Sequence, residues 1–434
     1  MARSRKQPHH KGLAGRSIAA IEGFGAEFGP GVITGAADDD PSGIATYSQA
    51  GAQFGYGLLW TQLLTYPLMV AVQLVSAHVG RVTGAGLAKT FTRYFPRWLV
   101  ALLVGLLVVA NVFNIGADLS AMASVSGLMV GGGDHLFVVA FALVSVLLQL
   151  FIPYQQYANV LKVLTFSLFA YVGVLFLVHV DWPQALLRLV WPPKLGKDAL
   201  LTVVALFGTT ISPYLFFWQS SQEAEEVATT NARPLAKQPR AARKQFRRMR
   251  VDTLVGMAFS EIISIVIIIA TAATLNAKGQ TDIQSASQAA EALKPVAGHF
   301  AFGLFTLGII GTGLLAVPVL AGSAAFAVSE ARGWKAGLEY KPQQAVRFYA
   351  IIVAATLIGV ALDWSGLNPM KALFFSAVFN GVAAAPIMAA LMIVTHKPEI
   401  MGRFTERAPL LILGWAATVI MAGASIAMFI GELS

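Results

Sequence analysis

The chain has 434 residues, of which 56% are hydrophobic and 12% charged, with no cysteine and a formal net charge of +9. A soluble domain carries about 25% charged residues, so this chain cannot cover itself with polar groups, and lipid must be its solvent. The lack of cysteine excludes disulfides, iron–sulfur clusters and thiolate metal sites. The basic residues sit in blocks between apolar runs, which reads as membrane topology and not as a nucleic-acid surface.

From the N-terminus, Met1–Arg16 holds Arg3, Arg5, Lys6, Lys11 and Arg16 before any acid. No short apolar core with a small-residue cleavage site follows, so residues 1–28 are expected to be a cytoplasmic tail. Crossing a hydrocarbon core of about 30 Å takes roughly 20 apolar residues. On that measure eleven spans are expected, at 29–55, 58–80, 98–127, 135–153, 156–180, 199–224, 250–275, 300–329, 346–363, 369–394 and 409–431. Pro96, Pro183, Pro192, Pro193, Pro295, Pro342 and Pro398 fall in the connections, where chain breakers belong. The strongest topological signal is Arg233–Arg250, with eight basic residues and no acid. Together with the tail, Arg81–Arg97, Arg332–Lys341 and Lys397–Arg407, it places the N-terminus inside a plasma (inner) membrane and the C-terminus outside. Gly51 and Gly55 form a GxxxG that close helix packing explains.

Two spans differ from the rest. The first carries Asp38, Asp39 and Asp40, then Pro41, Ser42 and Gly43, in the middle of an apolar run. One charge at the bilayer centre costs at least about 2.5–3.5 kcal/mol. The proline removes a backbone donor, and the glycine permits non-helical angles. The sixth span reads Gly208-Thr209-Thr210-Ile211-Ser212-Pro213-Tyr214, again a proline behind hydroxyls. Broken helices survive at membrane depth only where they are buried or line a cavity. Matching breaks in spans one and six, five spans apart, point to an inverted repeat of two five-span halves, 29–180 and 199–394, with an extra helix at 409–431. The bland alternative is a pair of proline kinks with the aspartates at a helix end in water.

The chemistry at such a break is that of a hard cation. Asp40 supplies the charge, the bared carbonyls around Ala37 and Thr209 supply dipoles, Ser212 a hydroxyl, and Gly43 leaves room for ion-bound water. Asp38 and Asp39 are candidates for a vestibule, and Asp118 and Glu261, as intramembrane acids, for an ion path or for buried structural pairs. Tyr214, Gln219 and Glu223 lie along the way from the break toward the inside, as an acidic exit or as a solvated helix end.

The stretch Gly29-Pro30-Gly31 through Asp40-Pro41-Ser42-Gly43-Ile44-Ala45, then Gln49-Ala50-Gly51-Ala52-Gln53-Phe54-Gly55, resembles the first helix of the NRAMP family of divalent-metal transporters. The resemblance implies an all-α membrane protein of the LeuT type, a 5+5 inverted repeat with about eleven helices of which 1 and 6 are broken. It also implies that Asp40 and the carbonyls of Ala37 and Thr209 line the ion site. The family's Asp-Pro-Gly-Asn is here Asp-Pro-Ser-Gly, and its Met-Pro-His is Ser212-Pro213-Tyr214. The family's asparagine ligand thus falls at Gly43, its thioether at Ser212 and its histidine at Tyr214. Losing the sulfur removes a preference for transition metals, and this set of changes is similar to the NRAMP-related magnesium transporters. Asn380, mid-membrane in span ten, is a further oxygen ligand or a packing hydrogen bond.

The expected function is therefore a secondary carrier of divalent cations, Mg²⁺ with Mn²⁺ tolerated, without strict proton coupling and with no resident cofactor. The rivals are a proton-coupled Mn²⁺/Fe²⁺ importer and a Na⁺-coupled organic-solute symporter. No catalytic motif points to an enzyme: the sequence has no Gly-rich phosphate loop, no Gly-x-Ser-x-Gly and no His-Glu-x-x-His. The expected partners are the cation and the bilayer; the sequence is silent on oligomeric state.

Overall fold

The computed structural model describes residues 30–152, 168–194, 196, 198–229, 233–406 and 408–433. Among them the regular structure is helical: α1 (Pro30–Asp38), α2 (Pro41–Phe54), α3 (Leu59–Thr83), α4 (Arg97–Val130), α5 (Asp134–Phe151), α6 (Phe169–Leu177), α7 (Asp198–Thr210), α8 (Pro213–Thr229), α9 (Ala242–Thr274), α10 (Ala301–Arg332), α11 (Val346–Asp363), α12 (Pro369–Thr395) and α13 (Ala408–Leu433), with short helices between some of them. Nine stretches among the described residues are long and apolar enough to cross a membrane, which makes this a multi-pass integral membrane protein. The first stretch covers two expected spans, because α2 passes through the 3₁₀ turn Gly55–Leu58 into α3. The expected tail at 1–28 and most of the first half of span 156–180 lie outside the described residues.

The fold is an all-α membrane architecture of the LeuT type, an inverted repeat with its first and sixth spans broken. The breaks follow from local chemistry. A residue before proline is pushed out of the helical region, and proline offers no N–H to the preceding turn. Accordingly α1 stops at Asp38, and Asp40, with φ −70° and ψ 170°, caps α2, which restarts at Pro41. The sixth span stops at Thr210 and restarts at Pro213 in the same way. Three of the prolines expected in connections, Pro183, Pro295 and Pro398, lie between the long helices and open short helices there, where a missing N–H costs nothing.

Helix α9 packs along α1, α2 and α3, and α8 lies against α3; α4 packs against α10, α11 and α12. Small residues set the closest approaches. A Cβ on Gly381 of α12 would stand 2.7 Å from the Val204 carbonyl oxygen and 3.1 Å from its Cγ1, so α7 and α12 touch backbone to backbone. The expected GxxxG divides its labour: Gly51 packs on α9 at Ile268 and Thr271, while Gly55, at φ 56°, ends α2.

Candidate functional site

Asp40 stands at the start of α2, 2% exposed. Its Oδ1 accepts from the Gly43 N–H at 2.7 Å and the Ser42 hydroxyl at 2.8 Å, the side-chain cap that a helix N-terminus needs. Its Oδ2 accepts from Asn114 Nδ2 of α4 at 2.8 Å. The carboxylate therefore bridges the broken helix and its neighbour, with no basic residue bonded to it among the described residues.

The two breaks meet at this point. A Cβ on Gly43 would lie 3.1 Å from Thr209 Oγ1, 3.3 Å from the Tyr47 ring and 3.4 Å from the Asp38 carbonyl oxygen, so only glycine leaves the junction of α2 and α7 open. The carbonyls bared by the breaks are held by hydroxyls. Tyr214 donates to the Ala37 carbonyl at 3.0 Å, and the Ser212 hydroxyl lies 2.7 Å from the Gly208 carbonyl and 2.9 Å from that of Thr209. Asp40, Ala37, Gly43, Thr209, Ser212 and Tyr214 are thus gathered in one buried junction of hard oxygen donors.

Other residues singled out from the sequence are distributed around it. Asp118, fully buried on α4, has Oδ2 3.4 Å from Asn114 Nδ2, and its Oδ1 has no hydrogen-bond partner. Asn380 on α12 is fully buried, and its amide atoms have no hydrogen-bond partner among the described residues. Asp38 and Asp39 turn away from Asp40 and share the Ser260 hydroxyl of α9, and Glu261 accepts from Thr65 of α3 at 3.1 Å. Gln219 is fully buried on α8 with both amide atoms unpartnered. Glu223 lies further along α8 in an ion-pair network: Arg81 reaches Glu223 at 3.6 Å and Glu226 at 3.5 Å, while Arg248 pairs with Glu226 at 2.7 Å and stands 3.8 Å from Glu223.

Asn114 is the residue that reading the sequence overlooked. Its signal was present: Asn111, Asn114 and Asp118 recur at helical spacing and so share a face of an otherwise apolar span. Among the described residues no three His, Cys, Asp or Glu side chains converge as metal ligands. The junction offers one carboxylate with neutral oxygens, a donor set suited to hard cations.

The two ends of the protein are closed differently. At the end bearing the Arg233–Arg250 segment, the network around Glu223 ties α8 to α3 and α9, Ser221 donates to Glu330 of α10 at 2.8 Å, and Asp252 accepts from the Gly31 N–H of α1 at 2.7 Å. At the opposite end Gln49 of α2 holds a loop, donating to the Thr281 carbonyl at 3.1 Å and accepting from the Ile283 N–H at 2.9 Å. Beside that loop a cavity of about 270 Å³ is lined by Ala45, Gln49, Gln53, Thr202, Asp282 and Phe374 among others.

A helical bundle with two interrupted spans meeting at a buried carboxylate defines a membrane carrier of the LeuT architecture. The profile of the family described as "Natural resistance-associated macrophage protein-like" matches residues 31–431, and the chain belongs to that family, NRAMP. It is 28% identical over 390 residues to a protein of Verminephrobacter eiseniae named "Divalent metal cation transporter MntH", covering 87% of this chain and 83% of that one. A Burkholderia ambifaria protein of the same name is 27% identical over 423 residues, covering 95% and 90%. Among solved structures, the Eremococcus coleocola manganese transporter superposes with a TM-score of 0.70 at 18% identity, over 97% of this chain and 88% of that one. The nucleobase-cation-symport-1 family transporter Mhp1 superposes at 0.58 and 12% identity, over 93% of each chain.

Proposed function

We propose that this protein is a secondary carrier that moves divalent metal cations across the membrane by alternating access, with Asp40 as the charged ligand. The observation that carries the reading is the meeting of the two breaks: a buried carboxylate beside Gly43 and Thr209, surrounded by hydroxyls and backbone oxygens. Mn²⁺ is the cargo that the relatives' names support, as divalent metal cation transporters and a manganese transporter. The expectation that Mg²⁺ comes first finds no support in those names, and the rival of a Mn²⁺/Fe²⁺ importer fits them better. Mg²⁺ stands as a second reading on one observation, the serine at 212 in place of the family's thioether, where Ser212 and Gly43 leave oxygen donors and space. In use, the cation enters past Gln49 and Asp282, rests at Asp40 and leaves past Gln219 and Glu223, with the N-terminus and basic segment inside. Halves bounded near 29–180 and 199–394 rock around it.

Calorimetric titration with Mn²⁺ and Mg²⁺ on the full chain and on Asp40→Ala tests this. One binding event of about millimolar strength is expected at Asp40, a site with so few charges, and that event is lost in the variant; an unchanged number of bound ions removes Asp40 from the site. Uptake into proteoliposomes with a pH-sensitive dye decides coupling. Acidification that follows Mn²⁺ means proton coupling, and uptake without it means none.

A further inference from the structure

On the side of the α1–α2 junction facing away from Asn114, the fold buries a second group of acids. Asp38, Asp39 and Glu261 are 0%, 1% and 4% exposed. The Ser260 hydroxyl lies 2.7 Å from Asp38 Oδ2 and 3.0 Å from Asp39 Oδ1. A hydroxyl has one hydrogen to donate, so it serves one of these carboxylates and leaves its oxygen bare against the other. The remaining oxygens, Asp38 Oδ1, Asp39 Oδ2 and Glu261 Oε2, meet no donor, and none of the three acids takes part in an ion pair among the described residues.

A separate residue faces the same place. Tyr47 of α2 is fully buried, and a Cβ on Gly43 would lie 3.3 Å from its ring and 3.4 Å from the Asp38 carbonyl oxygen; its hydroxyl has no hydrogen-bond partner among the described residues. Buried carboxylates with neither donors nor countercharge are strongly unfavourable. Two adjacent aspartates, once ionised, would offer two negative charges beside a serine and a tyrosine hydroxyl, a match for one doubly positive ion.

We propose that Asp38, Asp39, Ser260 and Tyr47 form a second cation site, which takes one hard divalent cation between α1, α2 and α9, separate from the cargo position at Asp40. The two are separate because Asp40 spends both its oxygens on Ser42, Gly43 and Asn114, whereas Asp38 and Asp39 address Ser260. Glu261 lies further out, as a negative charge that deepens the well. Such an ion travels with the helices that hold it and ties the end of α1 to α9, so it acts as a fixture and not as freight.

The test is a Mn²⁺ count by electron paramagnetic resonance on the full-length protein in nanodiscs. Two ions per chain are expected in the wild type, one in Asp40→Ala, one in Asp38→Asn with Asp39→Asn, and none when all three are changed. A wild type with one ion, lost in Asp40→Ala, overturns the second site and leaves the cargo reading intact. A single ion lost only with Asp38 and Asp39 overturns the cargo assignment instead. Because the double variant loses two buried acids, Ser260→Ala and Tyr47→Phe are made in the Asp40→Ala background. Each is expected to weaken the remaining Mn²⁺ about tenfold, as loss of a supporting group around a metal does. Mn²⁺ is also expected to raise the melting temperature of Asp40→Ala. No rise, or an affinity in both milder variants equal to that of Asp40→Ala alone, overturns the proposal.

Discussion

The contact between α7 and α12 gives the sharpest handle on alternating access. Their backbones meet at Gly381, where a Cβ would sit 2.7 Å from the Val204 carbonyl oxygen. Ordinary contact is about 3.5 Å, so Gly381→Ala demands a separation of about 0.8 Å at this crossing. Neither neighbour yields easily, because the clash is with backbone and not with the tip of a flexible side chain. Overpacking of this kind costs about 1–3 kcal/mol. Taking about 2 kcal/mol, and letting the helices relieve it by parting, the closed arrangement at the Gln49 end loses about 30-fold in population against the open one. The chain has no cysteine, so an engineered one is the sole thiol. Ala45→Cys on α2, a buried position lining the cavity at that end, serves as the reporter. Gly381→Ala is expected to speed its alkylation by about 10- to 30-fold, within the population shift just derived. Unchanged alkylation, even with a lowered melting temperature, would refute the idea that this crossing governs access.

Three further outcomes follow from other contacts. Asn114→Leu takes away the amide that holds Asp40 Oδ2; Mn²⁺ affinity by calorimetry should fall about 10- to 100-fold, as when a ligand's supporting partner is lost, and an unchanged affinity counts against a positioning role. Arg81→Met leaves the fully buried Glu223 facing Arg248 alone at 3.8 Å. Breaking a buried pair costs about 3–5 kcal/mol, with the lower end apt because Arg248 remains, so thermal unfolding in nanodiscs should shift down by several degrees, and no shift would mean that water already solvates Glu223. Gln49→Ala releases two hydrogen bonds to the 281–283 loop. Each is worth about 1 kcal/mol, so hydrogen exchange at the Ile283 amide should quicken by up to about 30-fold, and protection equal to wild type would show that the loop is held by other contacts.

The architecture was legible wherever its cause is local. Asp40-Pro41 and Ser212-Pro213 announce their own interruptions, because proline acts on the residue beside it and a mid-span acid rules out lipid. The helix ends were harder to place: Pro183, Pro295 and Pro398 begin short helices because proline breaks only what precedes it. At the site, the donors named along spans one and six lie together at the junction. What stayed hidden was set by pairing across long stretches of chain. Asn114 meets Asp40 from 74 positions away, and Ser260 meets Asp38 from 222. The pairing of Glu223 with Arg81 and Arg248 was hidden in the same way, because charge in a sequence does not reveal which partner folds next to it.

One consequence of Asp40's position reaches beyond ligation. The same Oδ1 that would greet a cation also secures the Gly43 N–H at the first turn of α2. A helix fastening of this kind is worth about 1 kcal/mol, and a metal drawing on that lone pair loosens it. Arrival of a passenger there would thus unlatch the beam on which it rests, so an empty protein and a laden one would differ in stiffness at their centre before either end has moved.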